Sequence, residues 1–254
     1  MSVNDELGKR MKEFYESVSK IKLVRRMPVI IRIDGKAFHT FTRGFQKPFD
    51  QILMKSMQET AEYLAENIQG CVASYVQSDE ISLLLIDYKK LTTSAWFDYE
   101  VQKICSISAS MATRIFNRFY RLNVESIEGE VPLNQFMIYD NGIEKAMFDS
   151  RCFNVPKEEV SNYFIWRQLD ASRNSVQMVG QANFSHKELQ GLSCNQIQEK
   201  LFQEKGINWN DFSGAEKRGT LYFQNANKDF AWDTSYVDLR EDRSPIENLV
   251  YMGE

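Results

Sequence analysis

The stretch from Met27 to Gly35 reads Met-Pro-Val-Ile-Ile-Arg-Ile-Asp-Gly and constrains this chain more than any other. Val29, Ile30, Ile31 and Ile33 leave almost no polar position for a solvent-facing side. Such a run reads as a strand covered on both faces, so the chain must lay other elements above and below it. The strand stops abruptly at Asp34-Gly35, which leaves an acid at a sheet edge.

Other elements follow from periodicity. Residues 5–24 predict an opening helix with Leu7, Met11, Phe14 and Tyr15 toward the core. Residues 50–69 predict a helix on Leu53, Met57, Ala61, Leu64 and Ile68, capped by Asp50 and ended by Gly70. A hairpin is expected next: Cys71 to Gln77, a tip at Ser78-Asp79-Glu80, then Ile81 to Ile86. A long helix is expected over about 95–121. Asp140-Asn141-Gly142 reads as a hairpin turn between Phe136–Tyr139 and a strand near Ala146–Val155. Pro156 suits the first turn of a helix running to about Asp170, and Ser193 with Gln196 suits a capping box ahead of Gly206. The coarse order, α-β-α-β-β-α-β-β-α-α-α, gives an α/β chain of α+β type. Its hairpins call for a mixed or antiparallel sheet flanked by helices.

Composition narrows the class. The 254 residues are 43% hydrophobic and 26% charged, as in ordinary globular proteins. No apolar run approaches the ~20 residues of a membrane helix, and the polar N-terminus shows no secretory signal, so no membrane association is expected. Net charge is −4, so a nucleic-acid binder of this balance must gather its cations on one face. The four cysteines (Cys71, Cys105, Cys152, Cys194) lie far apart and the histidines are only two. That speaks against structural zinc and for reduced thiols in a cytoplasmic protein.

Chemistry concentrates in two places. Asp34 ends one strand and Asp79 sits at a hairpin tip beside Glu80. If the hairpin lies against the first strand, the carboxylates share one sheet edge. Hard Mg²⁺ ions take such ligands together with substrate phosphates, and two of them roughly 3.5–4 Å apart serve phosphoryl displacement. The turn Gly35-Lys36-Ala37-Phe38-His39 follows directly, where glycine permits close approach, successive N–H groups cradle phosphate and Lys36 adds charge. Polymerase palms and nucleotide cyclases share this layout. The chain lacks both the P-loop and the dinucleotide fingerprint.

These residues resemble a known family. Arg32-Ile33-Asp34-Gly35-Lys36-Ala37-Phe38-His39, followed by Phe45-Gln46-Lys47-Pro48-Phe49-Asp50, is similar to the opening motif of the tRNA-His guanylyltransferase family. Gln77-Ser78-Asp79-Glu80-Ile81-Ser82, Phe148-Asp149-Ser150-Arg151 and Trp166-Arg167-Gln168-Leu169-Asp170 resemble its next three motifs. Gly206-Ile207-Asn208-Trp209-Asn210 and Lys217-Arg218-Gly219-Thr220 resemble the last two. Eukaryotic members carry H-I-N-N-L-Y-N after the third of these. Here Ser172–Met178 keeps only Asn174, and Asp98–Lys103 keeps only Lys103 of a basic helix start. The chain therefore looks like the bacterial or archaeal-type "like" proteins.

The resemblance implies one nucleotidyltransferase domain over 1–254. Its palm-like core spans about 25–155, with a helical and C-terminal elaboration over about 156–254. It implies Mg²⁺-dependent, template-dependent 3′-to-5′ addition of nucleotides to tRNA 5′ ends, with GTP and ATP as substrates. Two Mg²⁺ ions are expected on Asp34, the Gly35 carbonyl and Asp79, with Glu80 a weaker catalytic candidate. The nucleotide is expected along Asp34, Gly35, Lys36, Ala37, Phe38, His39, Ser78 and Asp79, with Arg32 and Lys47 on phosphate. Lys103, Asn174, Lys217 and Arg218 are the tRNA-binding candidates. A wider basic patch is expected from the N-terminal segment, Arg114, Arg118, Arg121, Lys217 and Arg218, in a homotetramer. The rival readings are a palm-type nucleotide cyclase and a non-catalytic RNA-binding module.

Overall fold

The computed structural model describes residues 6–225 and 232–251. Its helices are α1 (Glu6–Met11), α2 (Phe38–Phe41), α3 (Gln51–Asn67), α4 (Val101–Glu125), α5 (Leu133–Asp140), α6 (Lys157–Asn183), α7 (His186–Leu189), α8 (Cys194–Lys205), α9 (Gly214–Arg218) and α10 (Ser244–Val250). Its strands are β1 (Val29–Gly35), β2 (Cys71–Gln77), β3 (Glu80–Leu85), β4 (Phe148–Asn154), β5 (Thr220–Gln224) and β6 (Trp232–Ser235).

All six strands form one sheet in the order β4-β1-β3-β2-β5-β6, antiparallel throughout. The segment β1-α3-β2-β3-α4-β4 is a split βαβ arrangement, the topology expected of a palm-like core. β1 lies between β4 and β3 and alternates between two cores. Val29, Ile31 and Ile33 pack with Met57, Leu64, Ile104 and Phe116 of α3 and α4. Ile30 packs with Val160 and Phe164 of α6 and Ile246 of α10 on the opposite face. Burial on both faces is why the strand carries so little polarity. A third cluster joins the far end of α6 to α8 through Val176, Val179, Ile197 and Leu201.

The expected caps are present: Asp50 Oδ1 accepts from Leu53 N–H at 2.9 Å, and Ser193 and Gln196 close a capping box. Several expectations give way. The opening helix covers only Glu6–Met11 and continues as a wider π-turn over Lys12–Glu16 and a tighter 3₁₀ turn over Ser17–Ser19, with Leu7, Met11, Phe14 and Tyr15 exposed. Among the described residues no element lies over that stripe, which leaves it exposed. Phe136–Tyr139 belongs to α5, and Asp140-Asn141-Gly142 ends a helix instead of turning a hairpin. Tertiary packing decides this ambiguous four-residue run: Tyr139 is buried against Phe45 and donates its hydroxyl to Asp50 at 2.6 Å. α6 runs thirteen residues past Asp170. β5 and β6, unread in the sequence, extend the sheet beyond β2. Among the described residues no helix is long and apolar enough to cross a membrane, and all four cysteines are free thiols.

Candidate active site

The antiparallel register sets Asp34 opposite Glu80 on β3 and opposite Asp149 on β4. Gly35 N–H donates to the Asp79 carbonyl at 3.0 Å, which ties the hairpin tip to the end of β1. The two acids singled out in the sequence therefore meet at one sheet edge. Burial first, and then the nearby charge of Asp34, push the Asp79 carboxyl above its usual range. Arg151 stands on the other side of Asp34, its Nη2 3.7 Å from Oδ2 and 3.0 Å from Asp149.

A cavity of about 460 Å³ opens beside this edge. Gly35, Ala37, Phe38 and His39 line it from the turn, Lys47, Pro48 and Asp50 from the approach to α3, and Ser78 and Asp79 from the hairpin tip. Ala37 and Ser78 are both left-handed, at φ of 56° and 50°, a costly conformation for residues with a Cβ. Such strain persists only where surrounding structure imposes it, and here both strained residues face the cavity.

Gly35 is sterically required. A Cβ there would stand 2.3 Å from a Phe38 ring carbon. That ring is wedged among Phe41, Phe116 and Phe148 at centroid distances of 4.9, 5.6 and 5.1 Å, so it has nowhere to retreat. Gly35→Ala is expected to lose about 1–3 kcal/mol through overpacking. Thermal melting checks this, and an unchanged variant would refute it.

Other expected residues sit elsewhere. Lys36 is exposed and absent from the cavity lining; its amide donates to the Met147 carbonyl at 2.8 Å. Arg32, expected on phosphate, points its Nη2 to Glu80 Oε2 at 2.5 Å, while its buried Nε has no hydrogen-bond partner among the described residues. Glu80 is itself buried and held by Arg167 through two bonds of 2.7 and 2.9 Å. Its carboxylate is thus occupied by two guanidiniums beneath the tip.

The tRNA candidates are dispersed. Lys103 lies at the start of α4 with Nζ 3.7 Å from Glu100. Asn174 lines a smaller cavity that shares Asp50, Leu53, Ser78 and Met178 with the first. Lys217 donates to the Asn210 carbonyl and Arg218 stands 3.7 Å from Asp238. Sequence reading missed Thr42, Gln46, Met178 and Gln181 in the lining. Gln46 sits next to the Lys47-Pro48 motif that could have marked it; Met178 and Gln181 lay beyond the expected end of α6.

Paired strand-end acids on a split βαβ sheet, beside a cavity walled by strained backbone, are the layout of the palm class of nucleotide-handling enzymes. The profile of the tRNAHis guanylyltransferase family (Thg1) matches residues 8–156, and the chain belongs to that family. A bacterial Thg1-like protein solved in complex with ATP is 47% identical, with a TM-score of 0.83 over 96% of this chain and 99% of its own. A bacterial Thg1-like structure in complex with GTP is 44% identical, with a TM-score of 0.78 over 97% of this chain and 100% of its own. The tRNA(His) guanylyltransferase of Debaryomyces hansenii is 30% identical over 206 residues, 76% of this chain and 72% of its own length.

Proposed function

We propose that this chain adds nucleotides to the 5′ end of tRNA in the 3′-to-5′ direction, under template direction and with Mg²⁺. The observation that carries the reading is the junction of Asp34 and Asp79 at neighbouring strand ends, with Asp79 in the cavity lining and Asp34 next in the chain to Gly35, which also lines it. The bacterial relatives described with ATP and with GTP support nucleoside triphosphates as its occupants.

Asp34, the Gly35 carbonyl and Asp79 are assigned as the ligands of two Mg²⁺ ions. The donor set suits this ion: all oxygen, two carboxylates, and an open side for water and phosphate oxygens. Among the described residues no group of three or more His, Cys, Asp or Glu is gathered to hold a metal. A site that borrows part of its shell from substrate needs no such cage. The raised carboxyl of Asp79 also fits, because a cation between the two acids relieves the penalty on its charge. When bound, the ions offset charge that builds on the transferring phosphoryl group.

The chain's own residues position the reactants. The amides of Ala37, Phe38 and His39 are assigned to the triphosphate, since those of Gly35 and Lys36 are already spent within the protein. Lys47 supplies positive charge at the rim, and Phe45, Phe38 and Met178 give the cavity an apolar wall that excludes water. In the reaction the 3′-hydroxyl of the incoming nucleotide attacks the 5′-terminal phosphorus of the RNA. The new O–P bond forms as pyrophosphate leaves, or AMP where the end was adenylylated, and the leaving group carries the electron pair.

The test is extension of a tRNA lacking its 5′ nucleotide, with each nucleoside triphosphate in turn. The nucleotide that pairs with the opposing base is expected to be added, to stop with a Mg²⁺ chelator and to resume with excess Mg²⁺. A cyclic product from GTP without RNA would favour the cyclase instead. Mg²⁺-independent tRNA binding without turnover would leave only an RNA-binding module.

A further inference from the structure

The basic residues singled out in the sequence differ in their partners. Lys217 and Arg218 are engaged at α9, while Arg114, Arg118 and Arg121 line a groove of their own, about 790 Å³, between α4 and the segment that leads into β4. We propose that this groove is the track on which the sugar–phosphate backbone of the acceptor RNA docks. The inference rests on the reading that RNA is the substrate, and adds where on the molecule the RNA lies.

Spacing comes first. Arg114, Arg118 and Arg121 recur at +4 and +3 on α4, so they share one helix face. They span about 10 Å of helix axis by the rise per residue. Over that length the backbone of one RNA strand passes a few phosphates. Neighbouring guanidiniums on one helix face repel each other, and a polyanion relieves that repulsion. Glu144 compensates Arg121 alone. Among the described residues Arg114 makes one side-chain hydrogen bond, to the Tyr63 hydroxyl at 3.3 Å, and Arg118 makes no hydrogen bond or ion pair. In a chain of net charge −4 such a concentration of uncompensated cations is a local electrostatic footprint.

Rigidity and position come next. Asn117 exchanges two hydrogen bonds with the backbone of Ala146, at 2.9 and 3.2 Å, and Phe148 N–H donates to Thr113 Oγ1 at 3.1 Å. The arginines therefore stand on a helix pinned to the opposite wall. That wall is Met147 and Phe148. Met147 accepts from Lys36 N–H at 2.8 Å, and Phe148 pairs with Gly35 in the sheet register. The groove thus opens alongside the strand end that carries Asp34. A backbone held there delivers its 5′ terminus to the paired acids. Lys36, outside the cavity lining, follows Gly35 of the first site in the chain and bonds through its amide to Met147 of the groove wall.

The experiment uses the full chain, a tRNA lacking its 5′ nucleotide, and the paired substitution Arg114→Gln with Arg118→Gln. RNA affinity is measured at several salt concentrations, and GTP affinity and thermal melting are measured beside it. The paired variant is expected to bind RNA at least about tenfold more weakly. Its salt slope should be shallower by about two, one per arginine removed. GTP affinity and melting should stay as in the parent, and Arg114→Lys with Arg118→Lys should restore the slope. Unchanged RNA affinity and slope overturn the proposal, as does a loss confined to GTP. A parent protein that binds RNA in an arginine-dependent way but adds no nucleotide keeps the groove and removes the proposed reaction. A parent that binds no RNA removes both.

Discussion

Asp79→Ala is expected to lower nucleotide addition at least about a thousandfold while the melting temperature stays near that of the parent. Removing one preorganised charge-stabilising group commonly costs about 10²–10³ in rate, and a group that holds metal and shapes the site sits at the upper end. The fold has little reason to respond. What binds the tip to β1 is the backbone carbonyl of Asp79, which accepts from Gly35 N–H and survives the substitution. The carboxylate itself is disfavoured by burial and by Asp34 in the folded chain. Primer extension on a truncated tRNA, followed by thermal melting, separates the two effects. Full extension by the variant in excess Mg²⁺ would contradict the assignment of Asp79.

The second large effect falls on stability. Glu80 and Arg167 form a buried ion pair, with side chains 6% and 4% exposed, and Arg167 also reaches Asp170 at 2.9 Å. Arg167→Ala leaves Glu80 buried with only the partly exposed Arg32 as partner. Breaking a buried pair from one side costs about 3–5 kcal/mol. For a chain of this length that lowers the melting temperature on the order of 10 °C. Replacing both partners with apolar residues of similar volume should cost clearly less than the sum of the single changes, because no charge is then left alone. A double-mutant cycle by chemical denaturation measures this, and simple additivity would refute the coupling. Glu80 also adjoins Asp79 at the base of the tip, so Arg167→Ala should weaken nucleotide addition through loosened geometry while Mg²⁺ dependence persists.

The contrast between these adjacent acids shows how far residue type can be read without a fold. Asp79 and Glu80 are consecutive carboxylates in one polar tip, and nothing local separates a candidate ligand from an ion-pair anchor. The difference comes from Arg167 and Arg32, 87 and 48 positions away, which converge on Glu80 alone. Arg32 illustrates the same limit. Its place beside the motif suggested phosphate, yet its guanidinium is turned to Glu80 and toward the ring of Trp166, 5.9 Å away.

Local patterning by itself determined β1, the β2–β3 hairpin, α3 with its Asp50 cap, α8 with its capping box, and the pair Asp34 and Asp79. Each is written within a few residues, in side-chain periodicity, a cap or a turn, and each is reinforced by burial in the same sense. Tertiary structure alone decided the rest. The helical state of Phe136–Tyr139 depends on Tyr139 reaching Asp50 and Phe45. The exposure of the N-terminal stripe depends on the lack, among the described residues, of an element over it, and the length of α6 on its packing with α8. The gathering of Arg114, Arg118 and Arg121 beside the strand end depends on α4 being pinned to the lead-in of β4. Contacts between distant segments have free energies comparable to local preferences, and they are fixed only when the chain closes on itself.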